Sequence, residues 1–309
     1  MEIPMEKRAY SELGLLEFQE KFATEEACRK HLIELRWPEG FKCRHCGKGE
    51  RHCFKPSRLL FECYDCKGLT SVTAQTLFHK SKVPLRKWFW CVYFLATSKK
   101  AISTLYLSKQ LKLNYKTAWA MRRKIQTAMA NRDEQYRLKG IVEVDEIWIG
   151  GKQTFEKRRE FGPNKTPFFI AVEEDKIGTP RFARAQELQS GYDGNEIYEA
   201  AKESIPNPSV VKSDGHGAYR KLPEDGHVLE HSIQSKNPDS TAEHLKWINI
   251  ITSNLKRYLL STHHGVFPAY RAGYVSEFLY RFNRRFWPGQ AFDRLLFANI
   301  FKGPTPLRV

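Results

Sequence analysis

The chain has no long hydrophobic run. Its longest uninterrupted apolar stretch, Trp88 to Ala96, is nine residues, whereas a membrane-spanning helix needs about 20. That excludes a spanning helix, and no membrane partner is expected. The opening residues, Met1-Glu2-Ile3-Pro4-Met5-Glu6-Lys7, lack the basic-then-apolar order of a secretory signal, so the expected location is cytoplasmic. There is no internal repeat at periods of about 20–50 residues, which excludes a solenoid, and no low-complexity tract. An even set of cysteines is missing too. Seven in a chain of 309 residues point to metal ligands or free thiols rather than a disulfide framework. Acid is scarce in one block: residues 42–132 hold three acidic side chains against 20 basic ones.

What is present is an ordinary globular composition, 41% apolar and 28% charged, in a chain long enough for two or three domains. The net charge of +16 is unevenly spread. Residues 1–41 carry −3, residues 42–132 carry +17, residues 133–243 carry −6 and residues 244–309 carry +8. A basic block and a basic C-terminal end around an acidic middle suggest a polyanion partner, with nucleic acid first.

Residues 10–36 read as one or two amphipathic helices, with Leu15, Phe18, Phe22, Cys28, Leu32 and Leu35 as apolar positions. Trp37-Pro38-Glu39-Gly40 ends them. Residues 41–70 are short, strand-like and punctuated by cysteine. Residues 84–131 are helical, and Pro84 suits a first helical turn. The pattern turns to β at Ile141–Ile149, followed by Gly150-Gly151, with further strands at 167–172, 181–185 and 209–213 and a helix at 193–204. From Thr241 onward it is mostly helical. Strands and helices after residue 140 imply an α/β or α+β domain.

Cys43-x2-Cys46 and Cys63-x2-Cys66 are two knuckles with 16 residues between them. Four thiolates complete the closed tetrahedral shell of structural zinc. Cys53 is the spare, Cys28 and Cys91 lie in helical apolar patterns as packing residues, and His45 or His52 could replace a thiolate. Lys42, Arg44, Lys48, Arg51, Lys55, Arg58 and Lys67 surround the site, as a DNA-contact module would have them. Further on, a helix over 102–111, a break at Lys112-Leu113-Asn114 and a basic helix from Tyr115 or Lys116 through Met129 have the shape of a helix-turn-helix. Lys116, Arg122, Arg123 and Lys124 are its expected phosphate contacts.

Asp145 lies mid-strand beside Glu143 and Glu146, where an acid is costly unless paired or bound to metal. Asp214 ends another strand, before Gly215-His216-Gly217. Aspartates on adjacent strands can hold Mg²⁺ and leave positions for phosphate oxygens. Asn249 follows on the predicted helix Ala242–Leu260. Lys256, seven residues on, shares its face. Glu243, roughly 120° around that helix, and Asn254 are the other candidates for the third position.

On these residues the chain resembles bacterial insertion-sequence transposases with an N-terminal zinc ribbon, a helix-turn-helix and a ribonuclease-H-like DDE core. The resemblance spans about residues 15–290. It is carried by Arg36-Trp37-Pro38-Glu39-Gly40-Phe41-x-Cys43, Pro84-Leu85-Arg86-Lys87-Trp88-Phe89, Ala96-Thr97-Ser98-Lys99-Lys100, Tyr115-Lys116-Thr117-Ala118-Trp119, Glu143-Val144-Asp145-Glu146 with Gly150-Gly151, Ser213-Asp214-Gly215, Ser253-Asn254-Leu255-Lys256 and Tyr280-Arg281-Phe282-Asn283-Arg284-Arg285. It implies a multidomain α+β chain. An N-terminal helical segment spans 1–40, a zinc ribbon 41–80, a helix-turn-helix 84–132, a ribonuclease-H-like catalytic domain with a mixed sheet flanked by helices 138–290, and a C-terminal tail 291–309. Asp145 and Asp214 match the two catalytic aspartates, Asn249 the third metal ligand and Lys256 the basic residue that contacts DNA near the reacting end.

The chain departs from the superfamily in carrying Asn where Glu is usual, so the second ion has one less charge to hold it. Its first knuckle also lacks the family's usual proline. The implied cofactors are structural Zn²⁺ and two catalytic Mg²⁺ or Mn²⁺ ions. The implied partners are the element's terminal inverted repeats, target DNA, and at least a second copy of the chain when two ends are paired, all in a bacterial nucleoid. The implied reaction is phosphodiester hydrolysis followed by strand transfer. The alternatives are a transposase-derived protein that binds DNA without cutting it, kept open by Asn249, and an unrelated zinc-ribbon transcription factor. Tyr258, His263 and His264 either assist at the DNA end or pack.

Overall fold

The computed structural model describes residues 13–56, 58, 60–150, 165–190, 193–232, 243–263 and 265–301. They form two compact units, one from residues 1–98, 104–128 and 286–309, the other from residues 99–103 and 129–285.

The first unit begins with helices α1 (Leu15–Lys21) and α2 (Glu25–Arg36). Thr24 caps α2 by accepting from the Ala27 amide, Glu25 and Glu26 stand in the first turn, and Arg36 in the last, each matched to the helix dipole. Phe18, Phe22, Cys28 and Leu32 are buried, as expected, but Leu15 is half exposed. Strands β1 (His52–Lys55), β2 (Leu60–Cys63) and β3 (Leu69–Ser71) then form an antiparallel meander. So small a sheet has little core. Phe61 supplies most of it, stacking on Phe41 at 4.4 Å and meeting Trp37 and Phe54 edge-on or tilted. Arg36 ties the meander to α2 by donating to the Ser71, Val72 and Ala74 carbonyls.

Helix α3 (Leu85–Thr97) follows Pro84 and buries seven side chains, including Trp88, Phe89 and Val92. The Glu25 carboxylate accepts from its first amides, Leu85 N and Arg86 N, at 2.6 and 2.9 Å. Helices α4 (Thr104–Gln110) and α5 (Tyr115–Asp133) come next, joined through a left-handed Lys112. Ala291–Phe301, expected within a tail, is instead a helix. Its Phe292 ring packs 5.1 Å from Phe18 and 5.6 Å from Phe89, and Leu295 and Leu296 are fully buried. Apolar periodicity was present there, and the aromatic cluster of α1 and α3 gives it something to bury against. We label it α9 below.

The second unit holds a five-stranded sheet of β4 (Gly140–Ile149), β5 (Thr166–Glu174), β6 (Pro180–Glu187), β7 (Ser209–Ser213) and β8 (Val228–His231). The order across the sheet is β6-β5-β4-β7-β8. β4, β5 and β6 pair antiparallel, and β7 and β8 run parallel to β4. The sheet is therefore mixed, as expected. Both faces are covered. Val142, Val144, Phe169, Ala171 and Val211 pack under α6 (Gly194–Ser204) and the 3-10 helix Gly217–Asp225. Ile147, Ile149, Phe168, Ile170 and Val172 pack under α7 (Lys246–His263) and α8 (Arg271–Asn283). The two-residue strand period sorts them: odd positions of β4 face α7, even positions face α6. At the edge strand β6, the Asn283 amide pairs with both the N–H and the C=O of Ala183, while Arg284 meets Asp133 at 2.7 Å.

Candidate functional site

Two groups of side chains stand out, one in each unit. In the first, the sulfurs of Cys43, Cys46, Cys63 and Cys66 all lie within 4.8 Å of one another. Cys43–Cys66 is 3.6 Å and Cys46–Cys63 is 3.7 Å. A disulfide would bring sulfurs to about 2.05 Å, whereas Zn–S bonds of about 2.3 Å set a tetrahedron edge of roughly 3.8 Å. The spacing thus fits zinc.

Each knuckle is built locally. The Cys43 amide donates to Lys48 O and the Cys63 amide to Gly68 O, closing both turns, and the amides of His45 and Gly68 point at Cys43 and Cys66 sulfur. The residue after the second cysteine is left-handed in both, Gly47 at φ 75° and Lys67 at φ 58°. Glycine adopts that conformation freely; Lys67 does so at a cost that the closed turn imposes. The four thiols lie in contact with one another. Burial pushes Cys43 up, but the His45 and Cys46 amides and the neighbouring thiols bring it down to about 6. At Cys66 the Gly68 amide pulls down, yet burial and the three other thiols leave it at about 12. His45 and His52 are turned to the Leu69 and Gly49 carbonyls, and Cys53 to Phe54 O, outside the cluster. Cys28 and Cys91 are buried in helices. Among the described residues this is the one group of three or more Cys, His, Asp or Glu whose ligand atoms gather so tightly.

The second group is carboxylate. The β4–β7 ladder runs from Gly140 opposite Ser209 to Glu143 opposite Lys212. Asp145 lies two residues beyond the last residue of β4 in that ladder, and Asp214 two beyond that of β7, one past the strand's end. Asp145 thus stands midway along β4, and Asp214 follows the carboxyl end of the parallel strand β7. Gly215 is left-handed at φ 92°, and the turn folds the His216 amide onto the Asp214 carboxylate at 3.0 Å. Asp145 accepts from the Glu146 amide at 2.8 Å. Burial raises Asp145 to about 7; Glu146 and Asp214 push the same way, and the Glu146 amide and Lys256 oppose them. Asp145, Asp214 and Lys256 therefore share one electrostatic neighbourhood. Asn249 lies exposed in the first turn of α7, and Lys256 is exposed two turns on. Glu243 precedes α7 and is exposed, and Asn254 is exposed on it.

Two neighbours of Asp145 had no role assigned from sequence. Glu146 points to the other face, where the buried Tyr219 hydroxyl donates to it. Burial holds Glu146 at about 7, the tyrosine opposing and Asp214 adding. Glu143, fully buried, accepts from the Trp247 and Ile248 amides of α7. Its alternation with Asp145 in β4 was the signal that could have found it.

The basic helix α5 divides its residues. Lys116 is exposed, Arg123 and Lys124 are half-buried, and Arg123 donates to Gln126 at 2.7 Å. Arg122, expected to touch phosphate, is fully buried. It falls on the apolar side of α5 with Met121, Ile125 and Met129, so it serves packing rather than the surface. Tyr258 is also a packing residue, buried and donating to the buried Glu277 at 2.8 Å. His263 packs on Tyr274, and His264 lies outside the described residues.

Residues 137–283 match the family described as ISXO2-like transposase domain, and residues 23–68 match the transposase zinc-ribbon domain. The chain thus carries transposase domains of the IS1595 type, zinc ribbon included. It is 26% identical over 222 residues to an uncharacterized protein in transposable element ISH50 of Halobacterium salinarum, across 66% of this chain and 72% of the relative. That relative is archaeal, whereas the sequence resemblance named bacterial elements. Two solved structures align weakly. The Mos1 transposase paired-end complex with left transposon end gives 11% identity and a TM-score of 0.25 over 70% of this chain and 79% of that one. The Mos1 mariner paired end complex with Mn gives 11% and 0.22 over 69% and 78%. At those scores neither bears on the fold. No helix among the described residues is long and apolar enough to cross a membrane.

Proposed function

We propose that the chain is a DNA transposase of the DDE type with Asp145, Asp214 and Asn249 as its metal-binding triad. The observation that carries this is Asp145, midway along β4, lying in the field of both Asp214, just past the end of the adjacent parallel strand β7, and Lys256. The sheet order, with the first strand central, supports a ribonuclease-H-like core. The transposase domain matched over the same residues supports the reaction class.

Two carboxylates and an amide oxygen make an all-oxygen donor set that suits a hard divalent ion. Bound there, such ions supply Lewis-acid stabilisation of phosphate oxygens and an activated nucleophile for in-line displacement. The protein's own part is positional. Asp145 and Asp214 fix the donor spacing through the β4–β7 register. Asn249 adds an oxygen without charge. Lys256, on the same helix, holds a DNA phosphate near the reacting end. Tyr219 keeps Glu146 turned away from Asp145. The zinc ribbon and the α4–α5 pair, read as a helix-turn-helix, bind the terminal inverted repeats, with Lys116, Arg123 and Lys124 toward phosphate. Pairing two ends requires at least two copies on DNA, at the nucleoid.

The test is a strand-transfer assay. Duplex oligonucleotides ending in the repeats that flank the gene are incubated with a plasmid target and Mg²⁺ or Mn²⁺. Wild type joins them in a metal-dependent way and Asp214→Ala does not. DNA binding without joining in either metal supports instead the non-cutting reading that Asn249 favours.

A further inference from the structure

Glu143 is a fully buried carboxylate that the reaction, as described, does not use. It lies on β4 two residues before Asp145 and on the same face, so about 7 Å separates them along the strand. One of its oxygens accepts from the Ile248 amide at 2.8 Å, the other from the Trp247 amide at 3.2 Å. Those amides belong to the first turn of α7, where four N–H groups have no partner within the helix. The pairing is bidentate, each carboxyl oxygen accepting from one otherwise unpaired amide of the helix N-terminus. It joins residues more than a hundred positions apart in sequence. Asn249 is the very next residue after Ile248, and Lys256 stands two turns on.

The surroundings show that the site is built. Glu174 on β5 and Lys212 on β7 flank Glu143 on the same face. The Lys212 ammonium lies 3.2 Å from one Glu174 oxygen and 3.3 Å from the other. Lys212 thus holds Glu174, and Glu174 neighbours Glu143, whose own partners are the two helix amides. Placing an acid here costs desolvation that an apolar residue would avoid. A contact that served only to fill the core would be better made by Val or Ile. The cost is coherent if the contact must have one geometry, because a carboxylate gripping two amides sets the height, tilt and rotation of a helix, and apolar packing does not.

We infer that Glu143 is a positioning residue that clamps the first turn of α7 to β4 and so sets where Asn249 and Lys256 stand over Asp145. The inference rests on the functional reading above. It predicts that loosening the clamp weakens metal binding and slows cleavage without changing the affinity for DNA ends.

The experiment compares wild type, Glu143→Gln, Glu143→Asp and Asp145→Ala as full-length proteins. Gln presents a donor where one amide needs an acceptor; Asp keeps the carboxyl group but falls a methylene short. Mn²⁺ affinity is read by electron paramagnetic resonance, end binding by fluorescence anisotropy, cleavage against Mn²⁺ concentration, and α7 amide exchange by mass spectrometry. Expected are faster exchange at residues 247–249, Mn²⁺ binding about 10–100-fold weaker in Glu143→Gln, as for other outer partners of a metal site, a smaller loss in Glu143→Asp, and unchanged end binding. If Glu143→Gln does not fold, Glu143→Asp carries the test. A folded variant that melts lower but binds Mn²⁺ and cleaves as wild type does makes Glu143 merely structural and overturns the inference. Wild type that neither binds Mn²⁺ nor cleaves overturns the functional reading, and the clamp's role falls with it.

Discussion

The four thiols come from two tight turns within residues 43–66, and each turn closes on itself through its own backbone hydrogen bonds. Asp145, Asp214 and Asn249 come from a strand, a strand end and a helix, and the fold has to bring them together. The first site is specified by spacing and needs a metal to hold a nearly coreless sheet. The second is specified by register and helix placement, on a sheet already covered on both faces. The lesson is that the two sites should fail differently. Loss of metal should unfold the ribbon, while the sheet around the carboxylates should stand without one.

The widest separation should come from chelation. Removing zinc, or substituting Cys63→Ser, should abolish the ribbon's structure, because such sites contribute on the order of 10 kcal/mol of folding energy. Calorimetry should show the ribbon's contribution lost and the transition of the carboxylate-bearing sheet kept; loss of both together would break the comparison. Next, Asp145→Ala should lower the metal-dependent cleavage rate by more than the roughly 10–100-fold that removal of an outer partner costs, with the melting temperature nearly unchanged.

The metal-free carboxylates also predict a pH dependence. Asp145 and Glu146 are held at about 7 and Glu143 at about 8, chiefly by burial. In the unfolded chain such groups ionise near about 4. Above that pH the folded state keeps protons that the unfolded chain has released, so stability should fall as pH rises to about 8 and level off beyond. Urea melts across that window should show the decline, and saturating Mg²⁺ should flatten it. A metal-free protein that gains stability over the same range would mean that these carboxyls are not buried together.

A smaller effect should separate the basic residues of α5. Lys116→Ala should leave stability alone and reduce the salt dependence of DNA binding by a slope of about 0.9. Arg122→Ala should instead destabilise the fold, by roughly 1–3 kcal/mol, as urea melts would show, because that side chain is fully buried.

Much of this was legible beforehand. The strand at Ile141–Ile149 announced itself by β-branched residues, and the paired CxxC turns by their spacing. Helix α5 was legible as a helix, but which of its charges face water was not. Arg122 sits one residue from Met121 and Arg123, and only packing against neighbouring elements assigns it to the inside. The same limit hid Ala291–Phe301, whose apolar positions mean burial only once Phe18 and Phe89 are placed beside Phe292. The stretch Arg281 to Arg285 has no role that the sequence assigns. In the fold, Asn283 and Arg284 latch α8 to strand β6 and to Asp133.

By itself the sequence determined the two CxxC turns and the alternation of β4, because each depends on contacts or periods that close within a few residues. Only the tertiary structure decided that β4 and β7 run side by side, that Asp214 and Lys256 reach the field of Asp145, and that Glu143 grips the start of α7. Those relations join segments far apart in the chain, and they are fixed by strand register and helix docking, which no local pattern encodes.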